Sequence, residues 1–361
     1  YQVVFNLMEN GIKYNQPGGK LTVALSRFED NAMLQVTDTG MGIPEDALVL
    51  LNLGRLGTEK NLTELVELFA MARAQNDKLM LLITSLGEET AFLAVAIITY
   101  WCLDKNRGYY LMTVGFIGTI FNQFLKLLCR IPRPWVKDPN FTIVEEAREA
   151  ASGYSFPSGH SQSAVGTFGG LVATVSNKAL RILFIVIALL VPFSRMYLGV
   201  HTPADVLVGS ACSVAMIFGF RFMINGKGIP VMFGVMGVLA VGFICFVEFF
   251  PFPADIDAHN YASGLKNAYT MIGCIIGVSV VYVVDLKYVN FETKAVWWAQ
   301  FLKILVGLGT VLLIKEGLRM LLEMVLPVYP ARAIRYFLIV VWAGIGWPSF
   351  FPIFAKLGVK K

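Results

Sequence analysis

Two of the three histidines in this chain, His160 and His201, sit among cations in a sequence otherwise poor in charge. Lys126 and Arg133 come first, in Lys126-Leu-Leu-Cys-Arg-Ile-Pro-Arg133-Pro134. His160 lies in Phe156-Pro157-Ser158-Gly159-His160-Ser161, and His201 in Ser194-Arg195-Met-Tyr-Leu-Gly-Val-His201-Thr202-Pro203-Ala-Asp205. Arg133 and Arg195 offer forked donors suited to phosphoryl oxygens, and Lys126 adds a point charge. Pro132 and Pro134 break the helix after Lys126, so the chain can turn Arg133 back toward the lysine. Ser158-Gly159-His160 reads as a helix start, where free N–H groups and the dipole favour an anion, and Gly159 admits close approach of the backbone. Thr202 caps the next helix, Pro203 suits its first position, and Asp205 stands near the His201 imidazole, where it can fix the tautomer and stabilise positive charge.

Brought together, these groups suit phosphoryl transfer through a phosphohistidine. Neutral His201 attacks phosphorus while His160 protonates the leaving alkoxide; water then attacks the phosphoenzyme with His160 as base. Lys126, Arg133, Arg195, the Ser158 hydroxyl and the Gly159 N–H would stabilise charge on the equatorial oxygens, usually the largest catalytic contribution. No carboxylate or histidine cluster has metal-ligand spacing, so neither a metal nor another cofactor is expected.

The elements that must position these groups are membrane spans. Of 361 residues, 56% are hydrophobic and 15% charged, whereas soluble domains usually carry about a quarter charged residues. Apolar stretches recur near 79–103, 109–129, 162–176, 182–200, 204–222, 229–250, 265–284, 296–314 and 333–355. Several approach the roughly 20 residues that cross a bilayer. The stretch at 162–176 gains length if its helix begins near Ser158. The expectation is an all-α, polytopic bundle of eight to nine spans. The net charge of +5 lies mostly in short loops, which gives no reason to expect nucleic acid as a partner. The five cysteines are scattered singly through apolar runs and read as small filler. No signal peptide is visible.

Lys and Arg gather at Asp104–Arg107, Asn177–Arg181, Arg221–Lys227 and Lys356–Lys361, while 251–264 holds two Asp and neither Lys nor Arg. The positive-inside rule puts the first set in the cytoplasm. The three chemical segments then share the extracytoplasmic face of a cell-membrane protein, and so does the N-terminus if 79–103 is the first span.

In order and spacing the three segments resemble the K-x6-R-P, P-S-G-H and S-R-x5-H-x3-D motifs of the type 2 phosphatidic acid phosphatase superfamily, with every motif position filled. The resemblance covers residues 77–225. It implies that Lys126, Arg133, Ser158, Gly159 and Arg195 bind phosphate, with His160 the acid, His201 the nucleophile and Asp205 its partner. It also implies metal-independent hydrolysis of a lipid phosphate or diphosphate, with phosphatidic acid, phosphatidylglycerol phosphate and undecaprenyl diphosphate as candidate substrates. A soluble phosphate ester is the alternative within the enzyme class. A non-catalytic lipid-binding or sensor protein is the alternative outside it.

Residues 1–47 differ in kind and form a small α/β-like fragment. Asn6-Leu7-Met8-Glu9-Asn10-Gly11-Ile12-Lys13-Tyr14 and Asp38-x-Gly40-x-Gly42 resemble the asparagine box and first glycine box of histidine-kinase ATP-binding domains. The resemblance implies Mg²⁺ near Asn10 and adenine at Asp38, but later boxes are missing, so a remnant or fusion without kinase activity is expected. The division is therefore 1–47, a linker with an amphipathic segment at 48–77, a catalytic core at 78–225, and further spans at 226–361 that shape a lipid groove or make a homodimer contact.

Four smaller features complete the reading. Glu88 and Glu89 interrupt the first span and mark the outer interface or a functional site. Lys315, Glu316, Arg319 and Glu323 should pair on one helix face. Residues 141–151 read as a short surface helix over the site, and His259 as a solvated loop residue.

Overall fold

The computed structural model describes residues 19–28, 31–38, 76–151, 153–225, 227–254 and 256–357. The chain divides into two units, Tyr1–Leu79 and Met80–Lys361. In the first, β1 (Leu21–Phe28) pairs antiparallel with β2 (Asn31–Asp38), in register from Leu21 opposite Asp38 to Phe28 opposite Asn31. The two strands form a two-stranded sheet. The asparagine box, Gly40, Gly42 and the amphipathic stretch at 62–74 lie outside the described residues.

The second unit is helical, and its first helix begins in the chain just before Met80. Helix α1 (Asn76–Ser85) meets α2 (Glu89–Ile98, extended by a π turn at Thr99–Leu103) at a 51° bend. Helix α3 (Lys105–Cys129) opens with the Asp104 side chain accepting from the Arg107 N–H, which satisfies one of the free donors of its first turn. Its buried residues run from Gly108 to Leu127, so it is packed along most of its length. It stops at Arg130, whose φ of 51° ends the helical run before Pro132.

Two short helices follow, α4 (Pro134–Lys137) and α5 (Glu145–Ala150). Helix α6 (Gly159–Ala164) continues through a π turn at Val165–Gly169 into Gly170–Thr174. Helices α7 (Lys178–Tyr197) and α8 (Pro203–Phe220) complete the motif-bearing part. Beyond them lie α9 (Ile229–Phe249), α10 (Ala258–Val284), α11 (Trp297–Glu323), α12 (Val328–Val341) and the short α13 (Phe351–Lys356).

Seven helices among the described residues are long and apolar enough to span a membrane, or eight if the bent α1–α2 pair is one span. The expected ninth is the helix opening at Gly159. Its sixteen residues, Gly159–Thr174, reach about 24 Å at 1.5 Å per residue, short of the roughly 30 Å hydrocarbon core. Ile182 and Leu189 on α7 and Leu313 on α11 stay exposed in the isolated chain, as lipid-facing positions of a multi-pass protein would.

Buried polar contacts lock the later helices to the first ones. Lys303 on α11 is 1% exposed and donates to the carbonyls of Trp101 (3.1 Å) and Thr293 (3.2 Å). Lys105 pairs with Asp285 at 2.8 Å. A buried ammonium without acceptors would be strongly unfavourable, so these contacts fix the packing of the far helices. The charged run on α11 is paired less locally than expected. Arg319 reaches Glu323 at 3.7 Å and Lys315 reaches Glu316 at 3.9 Å, but Glu323 also receives Arg335 of α12 at 3.4 Å. The helix runs to Glu323 and so carries the charged run, as expected.

Candidate active site

Lys126, Arg133, Gly159, His160, Arg195 and His201 line one cavity of about 420 Å³. The remaining two predicted residues stand behind its wall: Ser158 is fully buried and Asp205 is 2% exposed. All eight converge from α3, the loop after it, the start of α6, the end of α7 and the start of α8.

His201 occupies the loop between α7 and α8. Its Nδ1 lies 3.4 Å from Asp205 Oδ2, and its Nε2 lies 2.8 Å from Arg133 Nη1. A guanidinium only donates, so Nε2 accepts and the ring proton belongs on Nδ1, toward Asp205. The tautomer is thus set from both sides, with the Nε2 lone pair at the cavity. Burial, reinforced by the charges of Arg133, Arg195 and Lys126 and opposed by the Asp205 hydrogen bond, pushes the His201 pKa down to about 3. The ring is therefore neutral at ordinary pH, as a nucleophile must be.

Asp205 is held in turn. Its Oδ2 accepts from Ser155 Oγ (2.6 Å) and the Thr202 N–H (2.8 Å), while its own N–H bonds Thr202 Oγ1 at 3.3 Å. The capping box read from Thr202-Pro203-Ala-Asp205 is present and doubles as the mount of the His201 partner. The Asp205 carbonyl also accepts from the Ser158 N–H at 3.0 Å, which ties the start of α8 to the start of α6.

Ser158 is the N-cap of α6: its Oγ accepts from the Ser161 N–H (3.4 Å) and from Ser161 Oγ (2.9 Å). The wall there is made by Gly159 and His160, with the hydroxyl set behind. Arg133 is anchored through Nε to the Gly153 carbonyl and through Nη1 to the Val200 carbonyl, each at 2.9 Å. Arg195 is 1% exposed and bonds Thr84 Oγ1 at 2.9 Å, while its Nε–H finds no partner among the described residues. A buried guanidinium with an unused donor is a place for an anion.

Several supporting residues are not evident from the motifs. Thr84 orients Arg195, and Ser155 holds Asp205. Asn122 donates to the Pro157 carbonyl at 3.3 Å; as an amide one turn before Lys126 in an apolar span, it carries a signal. Gly209 carries another, because glycine inside an apolar helix usually has a packing reason. A Cβ there would lie 2.6 Å from the Ser158 carbonyl oxygen.

The surface helix expected at 141–151 appears as α5. Val144, Ala147 and Ala151 pack on Leu198 and Val200, and the Val144 N–H bonds the Leu198 carbonyl at 3.2 Å. Gly199, between them, has φ +74°, and a Cβ on it would stand 2.5 Å from the Thr142 carbonyl oxygen. Gly199→Ala is expected to displace the loop that carries His201 and lower kcat/KM about a hundredfold, the scale of a 1 Å misplacement. Phosphate release and a melting curve on the same detergent-solubilised sample check this, with a Tm drop of only a few degrees expected beside the activity loss.

Comparison with known proteins agrees with this architecture. The family model described as PAP2 superfamily matches residues 107–228, and that described as PAP2 superfamily phosphatase, transmembrane extension, matches residues 269–360. A third, Histidine kinase-, DNA gyrase B-, and HSP90-like ATPase, matches residues 1–76. The chain is 28% identical over 218 residues to a probable sphingosine-1-phosphate phosphatase of Dictyostelium discoideum, covering 56% of this chain and about half (51%) of that protein. It is 30% identical over 152 residues to the undecaprenyl-diphosphatase BcrC of Bacillus subtilis, covering 40% of this chain and 72% of that protein. It is also 43% identical over 63 residues to the adaptive-response sensory kinase SasA of Synechococcus elongatus, covering 17% of this chain and 16% of that protein. No solved structure matches the chain. With the motif residues gathered at one cavity of a helical bundle, and with two models of one superfamily matching successive parts of it, the chain belongs to the PAP2 superfamily of membrane phosphatases, and carries a histidine-kinase-type ATPase-like segment at its N-terminal end.

Proposed function

We propose that this chain hydrolyses the phosphate ester or diphosphate of a membrane lipid by way of a phosphohistidine on His201. The observation that carries the reading is the doubly held imidazole: Nδ1 faces Asp205, and Nε2 meets Arg133 at the cavity wall. Substrate phosphate would draw Arg133 onto its oxygens and leave the Nε2 lone pair to attack phosphorus. Lys126, Arg195 and the Gly159 N–H take the remaining oxygens, and His160 passes a proton to the leaving alkoxide. Water then completes the turnover with His160 as base. Relatives named for sphingosine-1-phosphate and for undecaprenyl diphosphate both bear on the substrate, and both names denote phosphate at the end of a long apolar chain. The loop charges support a site on the extracytoplasmic face of the membrane. We assign catalysis to residues 78–225 and no kinase activity to residues 1–47.

The test is phosphate release by purified protein in EDTA from a panel of lipid and sugar phosphates, beside His201→Ala. Release from a lipid that survives EDTA and vanishes in the variant is the expected result. Release confined to sugar phosphates, or unchanged in His201→Ala, would overturn the reading.

A further inference from the structure

Helix α10 lies beyond the motif-bearing part, yet one of its faces reaches the site. Asn260, Ser263 and Asn267 follow one another at helical spacing. Ser263 and Asn267 line the cavity with His160 and Arg195, and Asn260 meets the loop behind Arg133. Its Oδ1 accepts from the Tyr154 N–H at 2.9 Å. That N–H and the Gly153 carbonyl belong to one trans peptide unit, which is planar, so the two groups point in opposite directions. The carbonyl in turn accepts from Arg133 Nε at 2.9 Å. Holding one end of the peptide therefore aims the other at the guanidinium. The approach is close: Gly153 has φ +79°, and a Cβ on it would lie 2.9 Å from Asn260 Oδ1. Glycine meets both demands.

The neighbouring groups show what this peptide serves. Ser155 Oγ donates to Asp205 at 2.6 Å, and the Ser155 N–H bonds the Ile131 carbonyl at 2.8 Å. Arg133 and Asp205 both meet His201, so residues 153–155 carry the mounts of the proposed nucleophile. Asn260 is itself firmly seated. Its N–H bonds the Asp257 cap at 2.7 Å. Further along α10, a Cβ at Gly264 would lie 2.5 Å from Leu127 of α3, and one at Gly273 would run into the Ala333 carbonyl of α12. Arg332 of α12 also bonds Thr270 of α10 at 2.7 Å. Resting on the phosphatase reading above, we propose that Asn260 is a positioning residue for Arg133, acting through the Gly153–Tyr154 peptide. It lies between the two matched stretches, 107–228 and 269–360. The later helices thereby hold the phosphate site in shape: α12 seats α10, α10 carries Asn260, and Asn260 aims the carbonyl that orients Arg133.

A double-mutant cycle tests this, read as kcat/KM for release of phosphate from lipid phosphate by the full chain in detergent. Its corners are the native protein, Asn260→Leu, Arg133→Lys and the two combined. Lysine has no Nε–H fork for the Gly153 carbonyl, so in that background the aim of the peptide no longer matters. Asn260→Leu should cost about tenfold in the native background, part of the roughly hundredfold that a 1 Å misplacement costs, and close to nothing beside Arg133→Lys. Asn260→Asp keeps an acceptor for the Tyr154 N–H and should stay within about threefold of native. Asn260→Ala replaces Asn260→Leu if the latter does not fold. A residue that only supports the fold would cost the same in both backgrounds. Equal costs, no cost in the native background, or an Asn260→Asp as poor as Asn260→Leu overturn the positioning role while hydrolysis through His201 stands. If the native protein turns over no lipid phosphate, the phosphatase reading fails instead. In that case, or if Arg133→Lys leaves no measurable rate, the same cycle is read in the calorimetric Kd for orthovanadate. Additive weakening there, or no binding by the native protein, overturns the positioning role.

Discussion

His201→Ala is expected to reduce kcat for lipid phosphate release by at least about a thousandfold, the loss seen when a nucleophile that works within a coupled set is removed. The size of the effect follows from what the ring does. On the proposed mechanism it is the group from which the covalent phosphoenzyme forms, and without it the surrounding cations would face a transition state with no attacking atom. Stability should change far less. The Arg133 Nη1 that met Nε2 at 2.8 Å keeps its bond to the Val200 carbonyl, and the Asp205 carboxylate that faced Nδ1 keeps its bonds to Ser155 and the Thr202 N–H, so the cost is two lost hydrogen bonds and a small void, about 2–4 kcal/mol. The variant should therefore still melt cooperatively and bind orthovanadate. Native protein quenched during turnover of a radiolabelled lipid phosphate should carry acid-labile, alkali-stable phosphate, and the variant none. The pH profile is a further check. With the His201 pKa pushed down to about 3, protonation of the nucleophile removes activity only as pH falls toward that value. A decline of kcat/KM between pH 7 and pH 5 must arise from another group. Acid-stable label, or label that persists in the variant, would remove His201 from the mechanism.

What the sequence made legible is the chemistry and the spans that frame it. The motif residues are polar groups in apolar surroundings, where burial is so unfavourable that only a shared task explains them, and the structure brings them to one cavity. Helix punctuation was readable at Ser158 and Thr202, which both cap as side-chain acceptors. The supporting contacts were not. Ser155 to Asp205 and Thr84 to Arg195 join positions 50 and 111 residues apart, and a single sequence shows no pattern for such pairs. Span counting was blurred for a physical reason. The helix at Gly159 is short and opens inside the bundle, and the α1–α2 pair is bent at Ser85–Glu89, so neither has the length by which a span is recognised. The charges late in α11 were read by helical periodicity alone, which finds Arg319 with Glu323 but not Glu323 with Arg335 of the following helix.

The second large effect concerns His160 and divides by leaving group. His160 is the second residue of α6, behind the Ser158 cap, and faces the cavity shared with His201. If it protonates the departing alkoxide, His160→Ala should lower lipid phosphate turnover by about 10²–10⁴, the range for general acid catalysis. With p-nitrophenyl phosphate the leaving group departs as a stable anion and needs no proton, so phosphorylation of His201 should be largely spared. Dephosphorylation still needs a base for water, whatever the first leaving group was. The variant should therefore release about one p-nitrophenol per active site in a rapid burst and then turn over slowly, with phosphoenzyme accumulating. Gln162 and Asn122, which also line the cavity, have amides that cannot take this proton at neutral pH, so they offer no substitute base. A purely structural role for His160 makes a different prediction: both substrates would lose rate equally and no burst would appear. Equal losses without a burst would thus strip His160 of its acid–base role, whereas a burst followed by slow turnover would assign both proton transfers to it.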